Sequence, residues 1–393
     1  MISFRRALLL ALCLLTLVYF FRSSHSSHSS PLSATAVHDQ AQPDAEPAHG
    51  SEVDSAPKGS STGPAQGVSD LSASEWKAKT MTPHVKDGKQ QTMTDMTGKS
   101  LTEQLRYQFP YDVEGKFPGY IWQTWKVTPG SGEFLEKFRI GEASWTEKHP
   151  GFVHEVITDQ VAVHLIRHLY AAVPAVLDAY KALPLAIMKA DFFRYLILLA
   201  RGGIYTDIDT IAIKSAPEWV PDSVPRSSFG LVVGIEADPD RPDWADWYSR
   251  RIQFCQWTIQ SKPGHPVLRE VVAAITEETL KRKREGTLTK DMDTSIVEFT
   301  GPALWTDQLF AFFNNPDYFE MTGSRANISF ENFTGMKEGK RVGDVIVLPI
   351  TSFSPGVKTM GAGDEDDPMA FVKHDFEGTW KPDSERHIGE IYD

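Results

Sequence analysis

Between Lys189 and Thr210 the chain reads Lys-Ala-Asp-Phe-Phe-Arg-Tyr-Leu-Ile-Leu-Leu-Ala-Arg-Gly-Gly-Ile-Tyr-Thr-Asp-Ile-Asp-Thr. Asp191 and Arg194 lie three apart in an apolar run, so on a helix they share one face. Gly202 and Gly203 then stop that helix, glycine being the usual residue just past a helix C-terminus. Ile204-Tyr205-Thr206 reads as a short buried strand. Asp207 and Asp209 follow at spacing two, which in extended chain aims both carboxylates to one side. Two desolvated like charges side by side are costly without a cation between them. The pattern therefore predicts a divalent metal held at a strand end, with a nucleotide diphosphate as the metal's partner. The alternative is an acid pair that caps a neighbouring helix.

The Asp-x-Asp spacing by itself says little, because the chain carries it four times: Asp207/Asp209, Asp238/Asp240, Asp291/Asp293 and Asp364/Asp366. The last three sit among Pro, Gly, Lys or further acids and read as solvated loop carboxylates. Only the first follows a hydrophobic strand.

The elements that must position these groups alternate. Tyr120–Trp125 and Val153–Thr158 read as strands, with helices over Phe134–His149, Val161–Tyr170 and Ala175–Leu183. After the central block come a strand at Gly230–Ile235, helices at Ile252–Gln260, His265–Arg284 and Ala303–Phe313, and a strand at Val345–Leu348. Such alternation predicts an α/β fold around a mostly parallel, Rossmann-like sheet, with ligands bound beyond the carboxyl ends of the strands. The basic run Lys281–Arg284 is expected to close a helix, where cations suit the dipole. Cys255 reads as a buried small hydrophobe in a helical stretch.

A formal net charge of −12 excludes a nucleic-acid partner, since no basic excess is present to neutralise phosphates. At the N-terminus Arg5-Arg6 precede an uncharged run, Ala7–Phe21, followed by Arg22. That run is short for an average bilayer and suits either a signal peptide or an anchor in a thinner membrane. The absence of a nearby small-x-small site and the flanking arginines favour an uncleaved anchor. Ser23 to about Gly98 is rich in Ser, Pro, Ala, His and Thr and reads as a disordered stem. The expected organisation is a cytosolic tip and anchor over 1–22, a stem over 23–100 and a lumenal domain over 101–393. The sequons at Asn327 and Asn332 agree with a lumenal address.

The blocks Ile121-Trp122-Gln123-Thr124-Trp125-Lys126, Lys189–Thr210, Gly301-Pro302-Ala303-Leu304-Trp305-Thr306-Asp307, Ser352-Phe353-Ser354-Pro355-Gly356 and His374-Asp375-Phe376-Glu377-Gly378-Thr379-Trp380-Lys381 carry a resemblance. The chain resembles the glycosyltransferase family 32 enzymes, and among them the fungal initiation-specific α-1,6-mannosyltransferases. Relatives often have a second His where this chain has Asp375. The resemblance implies a GT-A fold, GDP-mannose as donor, Mn²⁺ or Mg²⁺, and transfer to N-linked glycan cores with retention of configuration. It also implies a Golgi type II membrane enzyme with a lumenal catalytic domain, working on glycoproteins.

By the same resemblance Asp207 contacts the donor sugar or ribose and Asp209 the metal, while Asp191 and Arg194 orient sugar hydroxyls and diphosphate. Hard carboxylate oxygens suit Mn²⁺ or Mg²⁺. Trp122, Gln123 and Trp125 lie at the first strand, where this fold stacks the base, although the two tryptophans would look the same as core aromatics. His374 is a further metal ligand or diphosphate contact, beside Glu377 and Trp380 on the donor side. Asp307 faces the reacting sugar or is an N-terminal helix acid. Two alternatives remain open: mannosyl transfer to inositol-phosphoceramide, and a weakly active scaffold subunit working with other mannosyltransferases.

Overall fold

The computed structural model describes residues 67–72, 76, 96, 98–239, 241–290, 296–320 and 327–378. The anchor, most of the stem and Trp380 lie outside the described residues. Among those described, no helix is long and apolar enough to cross a membrane.

An eight-stranded sheet forms the centre. In chain order its strands are β1 (Val68–Asp70), β2 (Tyr120–Thr124), β3 (Val153–Ile157), β4 (Gly203–Thr206), β6 (Leu231–Ala237), β7 (Gln253–Ser261), β8 (Gly339–Val342) and β9 (Val345–Leu348). Across the sheet the order is β1-β8-β9-β6-β7-β4-β2-β3. A separate pair joins β5 (Thr210–Ala212) to β10 (Val372–His374), antiparallel.

Both faces of the sheet are covered, and the side chains alternate between two apolar clusters as a pleat requires. Leu231, Val233 and Ile235 of β6 enter one cluster and Val232 the other. Trp122 and Tyr205 join the first, while Ile121 and Ile204 join the second. The first cluster holds the helix Ala186–Arg201 together with the helices Pro266–Glu285 and Pro302–Phe313.

Gly202 and Gly203 do what the sequence asks of them. Both have positive φ, at 64° and 98°, and a Cβ on Gly203 would stand 2.6 Å from the Tyr120 carbonyl oxygen. Glycine therefore ends the helix and lets β4 close onto β2 within a few residues. The basic run Lys281–Arg284 does close a helix, capped by Gly286 in the left-handed region.

Two expectations are corrected and one holds. The stretch Ile252–Gln260 is not helical: β7 runs through it, with Phe254 and Ile259 on one face and Cys255 and Trp257 on the other. A central strand buried on both faces reads as a near-continuous apolar run, which periodicity alone does not separate from a buried helix. The sheet is mostly parallel, as expected, with β7 antiparallel to both its neighbours and β8 antiparallel to β9. Finally, the segment read as stem contributes β1, which pairs in parallel with β8. Ser72 Oγ accepts from the Gly343 N–H at 2.6 Å, and the Trp76 ring packs on Phe319 and Phe312.

Candidate active site at the end of strand β4

Asp191 and Arg194 are both buried on the helix that precedes β4. Arg194 Nη2 lies 3.0 Å from Asp191 Oδ1 and 3.3 Å from Asp207 Oδ1, so one guanidinium joins the helix acid to the first acid beyond the strand. Its plane lies over the Tyr205 ring, 5.0 Å from the centroid, and the Tyr205 hydroxyl donates to Asp207 Oδ1 at 2.9 Å. Asp191 accepts from Thr300 Oγ1 at 2.9 Å and from Gln256 Nε2 at 3.2 Å. Burial lifts the Asp191 carboxyl to about 6 despite the opposing pull of Arg194. Arg194 Nε and Nη1 are buried with no hydrogen-bond partner. Orphaned buried donors are costly, and an anionic ligand would satisfy them.

Asp209 is held from the far end of the chain. Because Thr210 stands opposite His374 in the β5–β10 pair, the imidazole arrives beside the acid, with Nε2 3.3 Å from Asp209 Oδ1. The Glu377 N–H donates to Asp209 Oδ2 at 3.1 Å, and the Asp375 N–H to the Asp209 carbonyl at 2.9 Å. Burial works upward on Asp209, but His374 and these donors outweigh it and hold the carboxyl low. His374 moves the opposite way: burial disfavours its charge, and the surrounding acids Asp209, Asp207 and Glu236 more than restore it. On Asp207 burial dominates and raises the carboxyl, with Arg194 opposing and Asp209 adding to the rise.

Asp207, Asp209 and His374 each offer a ligand atom, and these atoms lie within 4.8 Å of one another. His374 Nδ1 is buried without a partner. Two hard oxygens and one imidazole nitrogen in a half-buried, net-acidic niche fit a divalent cation such as Mn²⁺ or Mg²⁺.

The other sequence candidates divide. Gln123 is fully buried and serves the acid loop: its Nε2 donates to the Asp207 carbonyl at 3.1 Å, and its Oε1 meets His154 Nε2 at 2.9 Å. Trp125 is half-buried against Phe138 in the apolar cluster that contains Ile208, the residue between the two acids. Trp122 is a core residue, its indole N–H donating to the Gly202 carbonyl at 2.9 Å and its ring stacked on Tyr120. Strand alternation sends it to the opposite face from Ile121.

Asp307 is engaged elsewhere, clamped by Arg250 at 2.6 and 2.7 Å, and Arg250 also binds Glu298. Glu377 gives its backbone to Asp209 and its carboxylate to Lys137.

Several groups were not legible beforehand. Tyr205, Gln256 and Thr300 complete the Asp191–Arg194–Asp207 cluster, and Trp257 packs on His374 with ring centroids 4.3 Å apart. Glu236 on β6 accepts from Gln253 Nε2 at 3.0 Å; burial raises its carboxyl, while Gln253, His374 and Arg194 act against that rise. The one available signal for Glu236 was an acid at the end of an apolar strand. Asp238, read as a solvated loop acid, is buried, paired with Arg251 at 2.9 Å, and accepts from the Gly335 N–H at 2.6 Å.

Comparison with known proteins adds the following. A family model described as a glycosyltransferase sugar-binding region containing a DXD motif matches residues 136–225. That span includes Asp191, Arg194, Asp207 and Asp209 but ends before Glu236 and His374. Over 297 residues the chain is 51% identical to the initiation-specific alpha-1,6-mannosyltransferase of Candida albicans, covering 72% of this chain and 77% of that protein. It is 44% identical over 279 residues to the protein of the same name in Schizosaccharomyces pombe, covering 70% and 67%. Inositol phosphoceramide mannosyltransferase 3 of Schizosaccharomyces pombe is 32% identical over 124 residues, 30% of this chain and 33% of that one.

Proposed function

The chain belongs to the glycosyltransferase family of the fungal initiation-specific alpha-1,6-mannosyltransferases, and from that premise we propose that it moves mannose from GDP-mannose onto N-linked glycan cores with retention of the anomeric configuration. The fold is then a GT-A type nucleotide-sugar fold. The observation that carries this reading is the Arg194 guanidinium, buried between Asp191 and Asp207 with two nitrogens still unpartnered, beside an acid–imidazole cluster. Arg194 offers its free N–H groups to the donor's diphosphate or sugar oxygens. Asp191, fixed by Thr300 and Gln256, holds the guanidinium in place for that contact. Asp207 keeps its other carboxylate oxygen for the donor or the cation. Asp207, Asp209 and His374 would hold Mn²⁺ or Mg²⁺, which supplies Lewis-acid stabilisation of the departing diphosphate when bound. Trp125 at the rim of β2 is the ring on which the guanine stacks.

The lipid alternative draws on matches limited to a third of the chain or less. The scaffold alternative is disfavoured by the intact Asp191, Arg194, Asp207 and Asp209. From the arginine-flanked apolar run at the N-terminus we also propose a Golgi type II membrane protein, with residues 101–393 and the attached segment around β1 on the lumenal side.

The test supplies labelled GDP-mannose and Mn²⁺ with a high-mannose N-glycan in one reaction and inositol-phosphoceramide in another, then reads the anomeric proton of the product. An α-linked mannose on the glycan is the expected result. Transfer to the lipid alone, or a β-linked product, overturns the reading.

A further inference from the structure

Strands β4 and β6 run the same way, since each is antiparallel to β7 between them. Both therefore end at the sheet edge where Asp207 and Asp209 stand. They do not end level. Thr206, the last residue of β4, pairs with Thr258, whereas Ala237, the last of β6, pairs with Gln253. The β6–β7 hairpin thus overhangs the acid pair by the length of β7 from Thr258 to Gln253, about 15 Å at strand rise.

The overhang is continuous with the site. From the base outward, Trp257 packs on His374, Gln256 binds Asp191, and Gln253 holds Glu236. Where the strands part, buried Asp238 pins Arg251, whose guanidinium lies over Phe330.

Beyond that point stands Trp247, 57% exposed. A singly exposed aromatic is ordinary in itself; what distinguishes this one is how it is held. Its position is built: Arg241 lies over the ring at 4.9 Å, the indole N–H donates to Asp243 Oδ2 at 3.4 Å, and Asp243 is itself gripped by Arg241 at 2.6 and 2.7 Å. The short 3-10 turn Trp244–Asp246 leads into it, with the Trp247 N–H bonded to the Trp244 carbonyl at 3.0 Å. One flank of the ring is fixed from behind and much of the rest is presented to solvent, with the Asp243 carboxylate at its edge. A flat apolar ring with a hydrogen-bonding acid at its margin matches a pyranose, which has an apolar C–H face and a rim of hydroxyls.

We propose that Trp247 is the stacking platform of an outer acceptor-sugar subsite, on which a mannose of the acceptor glycan lies several sugars away from the one that reaches the donor. The proposal rests on the donor-site reading given above and extends it to the acceptor. Arg241 and Asp243 are positioning residues that hold the ring.

The experiment measures steady-state transfer by the full chain in detergent, from GDP-mannose to a high-mannose N-glycan, for the wild type, Trp247→Ala, Trp247→Gln and Trp247→Phe. Thermal shifts with Mn²⁺ plus GDP report the donor site separately. Loss of the platform should raise the acceptor KM about tenfold, the scale of one aromatic contact with its buried area. The donor KM and the Mn²⁺–GDP shift should stay as in the wild type, and Trp247→Phe should recover most of the acceptor affinity. An unchanged acceptor KM in Trp247→Ala or Trp247→Gln overturns the proposal, as does a donor KM that rises equally. Failure of the donor reading would instead appear in the wild type, as no transfer and no Mn²⁺–GDP shift.

Discussion

Arg194 Nη2 stands 3.3 Å from Asp207 Oδ1, across the diglycine stop that separates their helix and strand. The same nitrogen is 3.0 Å from Asp191, so the buried Asp191 and the half-buried Asp207 share one cation. Removing one partner of a buried ionic network costs about 3–5 kcal/mol, because the remaining charges lose their compensation. Arg194→Ala should therefore lose both transfer and a substantial part of its denaturant stability. Arg194→Lys should recover more of the stability than of the transfer, since an ammonium cannot reproduce the planar fork. Equal recovery of both would mean that the guanidinium is structural only.

Asp209→Ala separates metal binding from folding. An acid pair without its cation would gain stability on losing one charge, but the structure argues otherwise. Asp209 is already compensated by His374 and by the Glu377 N–H. The variant should lose roughly 1–3 kcal/mol by leaving those partners unsatisfied, and also lose the thermal shift produced by Mn²⁺ with GDP. A variant that is more stable than the wild type, or that keeps the shift, would place the cation elsewhere.

The pH dependence of stability has a local source in His154. Burial, helped by His149, lowers its imidazole to about 4, while the unfolded chain titrates near the usual 6.5. Between those values the unfolded state binds the proton and the folded state does not, so stability falls as pH drops through that window and the loss levels off below about 4. The loss is on the order of 2–3 kcal/mol. His154→Gln lacks this titration, so its denaturant midpoints should converge on those of the wild type as pH falls from 6.5 to 4. Parallel curves would refute the assignment.

The N-terminal boundary of the folded part can be cut on either side of β1. A version beginning at Thr62 keeps Val68–Asp70 paired to β8 and Trp76 on Phe319. One beginning at Leu101 exposes the β8 edge and uncovers Phe312 and Phe319. The shorter version should melt several degrees lower, corresponding to roughly 1–3 kcal/mol for lost aromatic burial, and should aggregate more readily through the freed edge. Identical melting curves would make β1 dispensable.

Much of the cluster around Asp207 was readable because its residues are neighbours in the chain. A helix, a stop and a strand within twenty-odd residues set Asp191, Arg194, Asp207 and Asp209 close together whatever the rest of the fold does, since spacing on a helix and on a strand is fixed by backbone geometry. The diglycine announced itself for the same local reason. What the tertiary structure alone decided are the contacts that close long loops. His374 reaches Asp209 through a strand pair with β5, and Gln256 and Thr300 come to Asp191 from two further elements. No local period encodes such meetings. The sense of β7 also lay beyond reach, because a strand buried on both faces has no polar alternation to reveal it. Asp238 and Asp307 show the limit most plainly. Nothing in their local sequence shows their partners, and only the tertiary structure pairs the buried Asp238 with Arg251 and Asp307 with Arg250.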